Sequence, residues 1–502
     1  MHSASDRRAL VGWTAFVTIA VTWLAAGLPA DGFYSGDSGV KLIAAFNAIR
    51  HPARPFDVDL PTVAGRPVPH VDPFFEVHGE HAHALQTPVF PVLSAPLVAV
   101  AGLRGAYVWP LLSLIALLPL LRMAARYAAP TASVHALALV GVLASPLVFY
   151  ALEFWEHVPA VVLLTAATAL VYPRRASDDR PAAMLAGVLT GVAVLLRPEA
   201  LWYASAVAWI ARGNNRTVRF LGGVTAPLAL FAIANWLHAG IPADSHATTQ
   251  LALLAGQPLD APIGRARLWL VPSSLVTLNR ESLWHAWPAA VLFLVPSRGA
   301  DTRRLWFLAL ATVVGVVLTA PNDGGAQWGP RYLLVAMPPL ILLAAGAASD
   351  AVRPGAYRAL RVTLVAAILL AGLWSTRAAY RELRAAKEAY AGVVRTTASI
   401  VSPRGYVVSN VWWFDQVAAP LHETRTFLYA RDAATATSIL QSLQRAGARE
   451  VTIVWAPDDA VAGALDRAIE GTCYAGARVQ DVQVPRLTFA TATCHQPTRS
   501  ST

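Results

Sequence analysis

The sequence predicts a mainly α-helical fold: a polytopic bundle of about eleven transmembrane helices followed by a small extracytoplasmic α/β domain. Three observations support this fold class. Apolar residues make up 56% of the 502 residues and the mean hydropathy is +0.47, whereas soluble domains average roughly 45–50% apolar residues. Apolar segments of about 20 residues, the length that crosses a bilayer, recur along the chain. Strand-like and amphipathic patterns replace them after about residue 377.

The apolar segments also give the domain organisation. We expect a membrane domain at residues 1–376, with a long first outer loop at 29–104, and an extracytoplasmic domain at 377–502. The first segment follows two arginines and has no clear small-x-small cleavage site, so we expect a retained signal anchor. The candidate spans are centred near residues 19, 114, 141, 165, 189, 205, 228, 290, 312, 340 and 367.

The arginines predict the orientation, because short cytoplasmic connections of membrane proteins are rich in Lys and Arg. With a cytoplasmic N-terminus, every second connection is basic. Residues 86–103 are also apolar, but counting them as a span would reverse this pattern. We therefore interpret them as a helix on the outer membrane surface, with a second such helix at about 38–50. The prediction is a multi-pass protein of the inner (plasma) membrane with an extracytoplasmic C-terminal domain.

The C-terminal domain has its own pattern. Residues 379–395 predict an amphipathic charged helix, 406–411 and 450–455 predict short buried strands, and 432–446 predict a helix between the strands. We expect Cys473 and Cys494 to form a disulfide if this domain is outside the cytoplasm. The net charge of +10 comes from arginines spaced between apolar segments. Because these arginines form no single basic stripe with interleaved aromatics, we expect no nucleic-acid partner.

Two arginines stand in short loops that the orientation places outside, where basic residues are uncommon. Arg197 and Arg331 each lie beside a proline that marks a helix end. Arginine binds phosphate or carboxylate in a bidentate manner. Together with Lys41 in the first outer loop, they predict an anion held at the membrane surface. The alternative is that they reach lipid headgroups or pair with acidic neighbours, Glu199 and Asp323.

Four carboxylates, Asp37, Glu153, Glu156 and Glu199, fall at predicted outer helix ends. Ionisable groups at membrane depth are costly and are therefore functional candidates. For Asp37 the alternative is structural, because Ser35 or Asp37 could cap the helix that follows.

A histidine- and acid-rich stretch raises the question of a metal. It contains His70, His78, His81 and His83 with Asp72, Glu76 and Glu80, but no spacing in it is diagnostic of a metal site. A solvated loop is the favoured interpretation. We predict no cofactor; a divalent metal is compatible with the sequence but not indicated. The chain contains no P-loop and no dinucleotide-binding glycine motif.

Short motifs between about residues 10 and 350 resemble those of the GT-C superfamily of polytopic glycosyltransferases. The resemblance is to bacterial relatives of the protein O-mannosyltransferases and to the lipid A aminoarabinose transferases, and it leaves the C-terminal domain uncovered. The motifs all fall on the predicted outer face; in order they are Tyr34-Ser35-Gly36-Asp37-Ser38-Gly39-Val40-Lys41, Gln86-Thr87-Pro88-Val89-Phe90-Pro91, Ser145-Pro146 with Glu153-Phe154-Trp155-Glu156-His157-Val158-Pro159, Leu196-Arg197-Pro198-Glu199 and Gly329-Pro330-Arg331-Tyr332-Leu333-Leu334.

The resemblance implies a GT-C fold and inverting transfer of a monosaccharide from a polyprenyl-phosphate sugar to an extracytoplasmic glycan, lipid or protein hydroxyl. Asp37 matches the family's general base, and Glu156 matches a second acidic position, where Glu153 and His157 remain alternatives. The substrate-binding candidates are Lys41, His157, Arg197, Glu199, Arg331 and Tyr332. Many relatives carry two adjacent acids where this chain has Gly36-Asp37-Ser38, which argues against the metal seen in some branches.

Three other functions are compatible with a polytopic protein of this kind. An oligosaccharide polymerase or ligase would use a polyprenyl-diphosphate oligosaccharide and need not have the long first loop. A lipid-linked-sugar flippase or transporter would place its charges near the bilayer midplane, often in two related halves. A non-enzymatic anchor would serve only the C-terminal domain.

Overall fold

The computed structural model describes residues 4–63, 65–68, 74–78, 81–172, 180–211, 215–239, 272–297, 301–320, 327–456, 472, 474–483 and 486–494. The chain forms two compact units. The first unit comprises Met1–Gly27 and Tyr107–Leu383, and the second unit comprises Leu28–Ala106 and Arg384–Thr502. The first outer loop thus groups with the C-terminal residues. The predicted domain division at residue 376 stays a prediction.

Helices dominate the described residues. In chain order the α-helices are α1 (Ala4–Ala26), α2 (Gly36–Arg50), α3 (Val89–Ala101), α4 (Val108–Ala128), α5 (Val134–Ala138), α6 (Leu147–Ala151), α7 (His157–Val171), α8 (Arg180–Leu196), α9 (Ala200–Ile210), α10 (Arg216–Ala239), α11 (Leu283–Ala286), α12 (Thr302–Thr319), α13 (Met337–Ala351), α14 (Arg358–Ile400), α15 (Phe414–Val417) and α16 (Ala433–Arg445). Short 3₁₀ segments lie at Gly102–Tyr107, Pro288–Leu294, Arg331–Ala336 and Ala419–Leu421, and a π-helical turn lies at Leu139–Leu143.

The membrane character of the chain is carried by long apolar helices. Within the described residues, 6 helical runs are long and apolar enough to cross a membrane: Ala4–Ala26, Val89–Ala128, Arg216–Leu237, Thr302–Thr319, Arg331–Ala351 and Arg358–Ile400. Shorter apolar helices lie at Val134–Leu143, His157–Val171, Pro181–Leu196 and Ala200–Ile210. The polytopic helical fold class is confirmed at this level, while the count of about eleven spans stays a prediction.

One predicted segment is shorter in the structure than a membrane span, and a predicted helix outside the spans is confirmed. The segment centred near residue 290 forms a 3₁₀ helix of 7 residues, Pro288–Leu294, bounded by prolines 288 and 296. At about 2 Å per residue it is far too short to span a bilayer. The predicted helix at 86–103 is confirmed as α3 (Val89–Ala101), which is followed by Gly102, whose φ of 59° breaks the helix. The predicted placement of this helix on the membrane surface is untested.

The second unit contains the strands. They are β1 (Thr62–Val63), β2 (Arg66–Pro67), β3 (Phe75–His78), β4 (His81–Ala84), β5 (Tyr406–Ser409), β6 (Thr426–Tyr429), β7 (Glu450–Trp455), β8 (Tyr474–Gln483) and β9 (Arg486–Cys494). The first four form two antiparallel pairs, and the others form one sheet in the order β6-β5-β7-β9-β8. In this sheet β5 is parallel to β6 and β7, and β9 is antiparallel to β7 and β8.

The predicted strands near residues 406 and 450 and the predicted helix at 432–446 are confirmed as β5, β7 and α16. Alternate residues of β5 face two different cores: Val408 packs with Leu440 of α16, and Val407 packs with Phe414 of α15. This period of two is the expected mark of a sheet covered on both faces. Cys494 is disulfide-bonded; Cys473 lies outside the described residues.

Candidate active site

Arg197 is the centre of a buried ionic cluster in the first unit. It follows the last residue of α8, where Pro198 ends the helix. Arg197 donates from Nη1 to Glu156 Oε1 at 3.1 Å and from Nη2 to Glu199 Oε1 at 2.6 Å. The two carboxylates stand at the N-terminal ends of α7 and α9. The predicted alternative of an Arg197–Glu199 pair is thus observed, and Glu156 is a second partner. Asp323 lies outside the described residues.

Aromatic rings surround His157, the first residue of α7. Its side chain is buried, and its ring centroid lies 4.9 Å from that of Tyr150 and 5.3 Å from that of Trp155. Phe149 extends this packing to Trp328, with ring centroids 6.4 Å apart. Such a wall keeps water away from the neighbouring Glu156, and low local polarity strengthens its ion pair with the arginine.

Arg331 opens the 3₁₀ segment Arg331–Ala336 and is partly exposed. Its guanidinium carbon lies 5.4 Å from the centroid of the Tyr332 ring, and the guanidinium carbon of Arg197 lies 5.6 Å from the same centroid. Both distances are within the range of a cation–π interaction. The first unit therefore brings together the predicted residues Glu156, Arg197, Glu199, Arg331 and Tyr332.

An apolar groove of about 280 Å³ is lined in part by residues at the start of the 3₁₀ segment Arg331–Ala336. Pro330 and Leu333, on either side of Arg331 and Tyr332 in the chain, line it together with Trp284 and Phe293. Because its lining is almost entirely hydrocarbon, the groove suits an apolar chain and not a polar metabolite. Arg331 is not itself one of the described lining residues; it is next to Pro330 in the chain.

Asp37 and Lys41 lie on α2 in the second unit. Ser35 is the N-cap residue in extended conformation, but its side chain makes no capping hydrogen bond to a described residue. Asp37 lies in the first turn of α2, where a carboxylate interacts favourably with the helix dipole. It is half-buried, and Gln86 Nε2 lies 3.5 Å from its Oδ1, the long limit of a hydrogen bond. Lys41 is buried and, four residues on, shares a helix face with Asp37.

The glycines of the first motif have a packing role. A Cβ at Gly39 would overlap the backbone carbonyl of Gln416, and a Cβ at Gly36 would overlap its side-chain amide. Spaced at i and i+3, the two glycines give α2 a flat face on which α15 packs closely. The motif is therefore needed for the packing of the second unit as well as for placing Asp37.

The other predicted candidates are more dispersed. Glu153 is fully buried in the first unit. His83 Nδ1 lies 3.9 Å from Asp57 Oδ1 in the second unit. His70, Asp72 and Glu80 lie outside the described residues. Within the described part of the chain, no group of three or more His, Cys, Asp or Glu residues is arranged to hold a metal ion.

Sequence reasoning missed an acid–histidine pair in the second unit. His422 Nε2 lies 2.6 Å from Asp415 Oδ1, and the histidine ring stacks on Phe427 with centroids 4.8 Å apart. No motif could have indicated it, since the two residues are separated by a turn without recognisable spacing. Tyr150 was also missed, although it lies between the two parts of the third motif.

No family model and no curated protein matches the chain. Solved structures, in contrast, are similar to the chain in fold. ArnT from Cupriavidus metallidurans bound to undecaprenyl phosphate is 13% identical, with a TM-score of 0.57, and the match covers 96% of this chain and 98% of that chain. Its apo state gives 12% identity and a TM-score of 0.54 with the same coverage. The chain therefore has the fold of ArnT over nearly its whole length.

Proposed function

We propose that this protein is a membrane glycosyltransferase that moves a monosaccharide from a polyprenyl-phosphate donor to an extracytoplasmic acceptor hydroxyl with inversion. The observation that carries the proposal is that the partly exposed Arg331 is next in the chain to Pro330, which lines an apolar groove. A polyprenyl-phosphate sugar has the same two chemical parts, an anionic phosphate and a long hydrocarbon chain. The ArnT fold supports the proposal, because ArnT is described in complex with undecaprenyl phosphate.

Arg331 is our first candidate for the donor phosphate. The two terminal nitrogens of Arg197 donate to Glu156 and Glu199, so this arginine is already committed to carboxylates. As the bond between the sugar and the phosphate breaks, negative charge grows on the phosphate. A guanidinium beside it stabilises the transition state more than the ground state. We assign Arg197 to holding Glu156, Glu199 and the Tyr332 ring in place.

Asp37 is proposed as the general base. The acceptor oxygen attacks the anomeric carbon, its proton passes to the Asp37 carboxylate, and the sugar–phosphate bond breaks to release polyprenyl phosphate. Lys41 is proposed as a second phosphate ligand, and Glu156 and His157 as contacts to the sugar. This scheme uses no metal ion. The predicted orientation, with a cytoplasmic N-terminus, belongs to the same proposal.

The exchange Asp37→Asn tests the base. We expect it to lower kcat for sugar transfer by about 10²–10⁴-fold, the contribution of a general base, because the amide cannot accept the proton. The assay uses full-length protein in proteoliposomes, a radiolabelled polyprenyl-phosphate sugar and a membrane extract as acceptor source. Asp31→Asn is the matched control: Asp31 lies in the same loop and faces Arg395 at 3.9 Å. Unaltered transfer by the Asp37 variant would refute the assignment.

Arg331→Gln tests the donor site separately. Loss of one charged donor at the transition state lowers kcat by about 10²–10³-fold, and Arg280→Gln, which removes an exposed ion pair with Glu382, should leave kcat unchanged. If the label crosses the bilayer but no sugar reaches an acceptor, the protein is a flippase. If only diphosphate-linked oligosaccharides are consumed, it is a polymerase or ligase.

A further inference from the structure

A second cavity in the first unit, of about 510 Å³, combines cationic and apolar walls. It lies where α13 ends and α14 begins, with the 3₁₀ segment Pro288–Leu294 at its side. Val365 and Ile368 of α14 and Val291 of the 3₁₀ segment form its apolar wall. Arg353 and Arg361 line its other end. It shares no lining residue with the apolar groove that Pro330 lines.

The two arginines at this end differ in how their positive charges are compensated. Arg353 Nε lies 3.2 Å from Asp350 Oδ1, so this arginine is neutralised by a neighbour. Arg361 donates from Nη2 to the carbonyl oxygen of Arg353 at 3.2 Å, and its buried Nε has no hydrogen-bond partner among the described residues. No carboxylate of the residues that the structure describes forms an ion pair with Arg361. A buried guanidinium nitrogen without an acceptor is costly, and an anion would satisfy it.

The apolar wall decides what kind of anion fits. A free phosphate would gain nothing from Val291, Val365 and Ile368, whereas an acyl chain would be removed from water or from lipid contacts along them. A zwitterionic lipid would bring its own cation next to Arg361. Basic pockets between membrane helices are known sites for anionic headgroups. The charge of Arg361 and the apolar wall together favour an anionic lipid.

We propose that this cavity binds an anionic membrane phospholipid, with its phosphate on Arg361 and an acyl chain along Val365 and Ile368. The site is independent of the proposed transferase activity. If the predicted orientation holds, the connection that contains Arg353 and the start of α14 with Arg361 are cytoplasmic, so the lipid would come from the cytoplasmic leaflet.

Lipid retention tests the proposal. Full-length protein is purified in mild detergent, and bound lipids are extracted and quantified by mass spectrometry. Wild-type protein should retain phosphatidylglycerol or cardiolipin, and Arg361→Gln should retain about ten-fold less, the equivalent of one charge-assisted hydrogen bond. Arg358→Gln is the matched control, because Arg358 is exposed, donates to the Val352 carbonyl and does not line the cavity; it should retain lipid as the wild type does.

A second variant distinguishes the loss of the lipid site from misfolding caused by the loss of Arg361. Val365→Trp fills the apolar end, leaves both arginines intact and should also lower retention. In thermal titrations, phosphatidylglycerol should raise Tm, and phosphatidylcholine or inorganic phosphate should not. The proposal is overturned by equal retention in Arg361→Gln, by equal retention of phosphatidylcholine, by recovery of polyprenyl phosphate in place of phospholipid, or by an Arg361-dependent rise in Tm with inorganic phosphate alone.

Discussion

The predicted site residues are fixed in two different ways in the two units. In the first unit, Arg197 is held by charge, through short hydrogen bonds to two buried carboxylates. In the second unit, Asp37 is positioned by shape, because the glycines of α2 allow close contact with α15. Charge fixes a side chain that must stay ionised in a water-poor place, while glycine contacts fix a backbone and leave the carboxylate partly exposed. The two arrangements should respond to mutation differently.

The largest effect is expected at the charged cluster. Arg197→Gln removes the guanidinium from which both Glu156 and Glu199 accept hydrogen bonds. Removal of one partner from a buried ionic network costs about 3–5 kcal/mol, so we expect a large fall in the thermal stability of the purified protein. Thermal unfolding in detergent, followed by tryptophan fluorescence, measures it.

The control for this prediction neutralises the whole cluster. The variant Arg197→Gln/Glu156→Gln/Glu199→Gln leaves no uncompensated buried charge, and it should be more stable than Arg197→Gln alone. If the triple variant is the less stable of the two, charge does not hold this cluster together, and the contrast between the units fails.

A smaller effect is expected at the glycine contact. Gly39→Ala places a methyl group against a backbone carbonyl that cannot rotate away, which costs about 1–3 kcal/mol. Gly36→Ala should cost less, because its neighbour is the flexible end of the Gln416 side chain. Hydrogen exchange of peptides that cover α2 and α15 measures the loss of protection.

Gly392→Ala is the matched control in the second unit. It also lies in a helix, α14, but no atom stands within 4 Å of its added Cβ. There the substitution should be neutral or stabilising by about 0.4–1 kcal/mol, since alanine has fewer conformations to lose than glycine. Equal loss of protection in Gly39→Ala and Gly392→Ala would show that close packing does not position α2.

The sequence predicted what depends on local pattern. Apolar length placed α1, α4 and α12, and alternation placed β5 and β7, because burial in a bilayer or a sheet imposes a period that a single segment displays. It also pointed to the Arg197–Glu199 pair, two residues apart. The segment centred near residue 290 forms only the short 3₁₀ helix Pro288–Leu294, since Pro296 does not allow the helix to continue.

Long-range contacts were beyond such reasoning. Glu156 contacts Arg197, which is 41 residues away in the chain. Gly36 contacts Gln416, which belongs to the C-terminal part of the sequence. The sequence does not reveal whether a glycine is needed for a turn or for a helix contact, so the first motif was interpreted through its polar and charged residues, Ser35, Asp37 and Lys41. The grouping of the first outer loop with the C-terminal residues includes the contact of Gly36 with Gln416 and has no local signature.

The smallest effect is expected at Asp432, whose carboxylate is exposed to water. Asp432 caps α16 by accepting a hydrogen bond from the Thr435 backbone N–H at 2.7 Å, and this bond lowers the pKa of Asp432 below its ordinary value. A lowered pKa stabilises the fold above the ordinary value of about 3.9 and loses that contribution as pH falls through the folded value.

Asp432→Asn keeps a capping oxygen but does not titrate. The measured quantity is the hydrogen-exchange protection factor of the peptide 433–445, taken at each pH as the ratio of wild type to variant. This ratio should stay constant from about pH 5 to 7 and fall below about pH 4. Since an exposed charge is screened by water, the change should be much smaller than that at Arg197. A ratio that is flat to about pH 2 would mean that the ionised cap adds nothing to α16, and that in this chain charge stabilises structure only where it is buried.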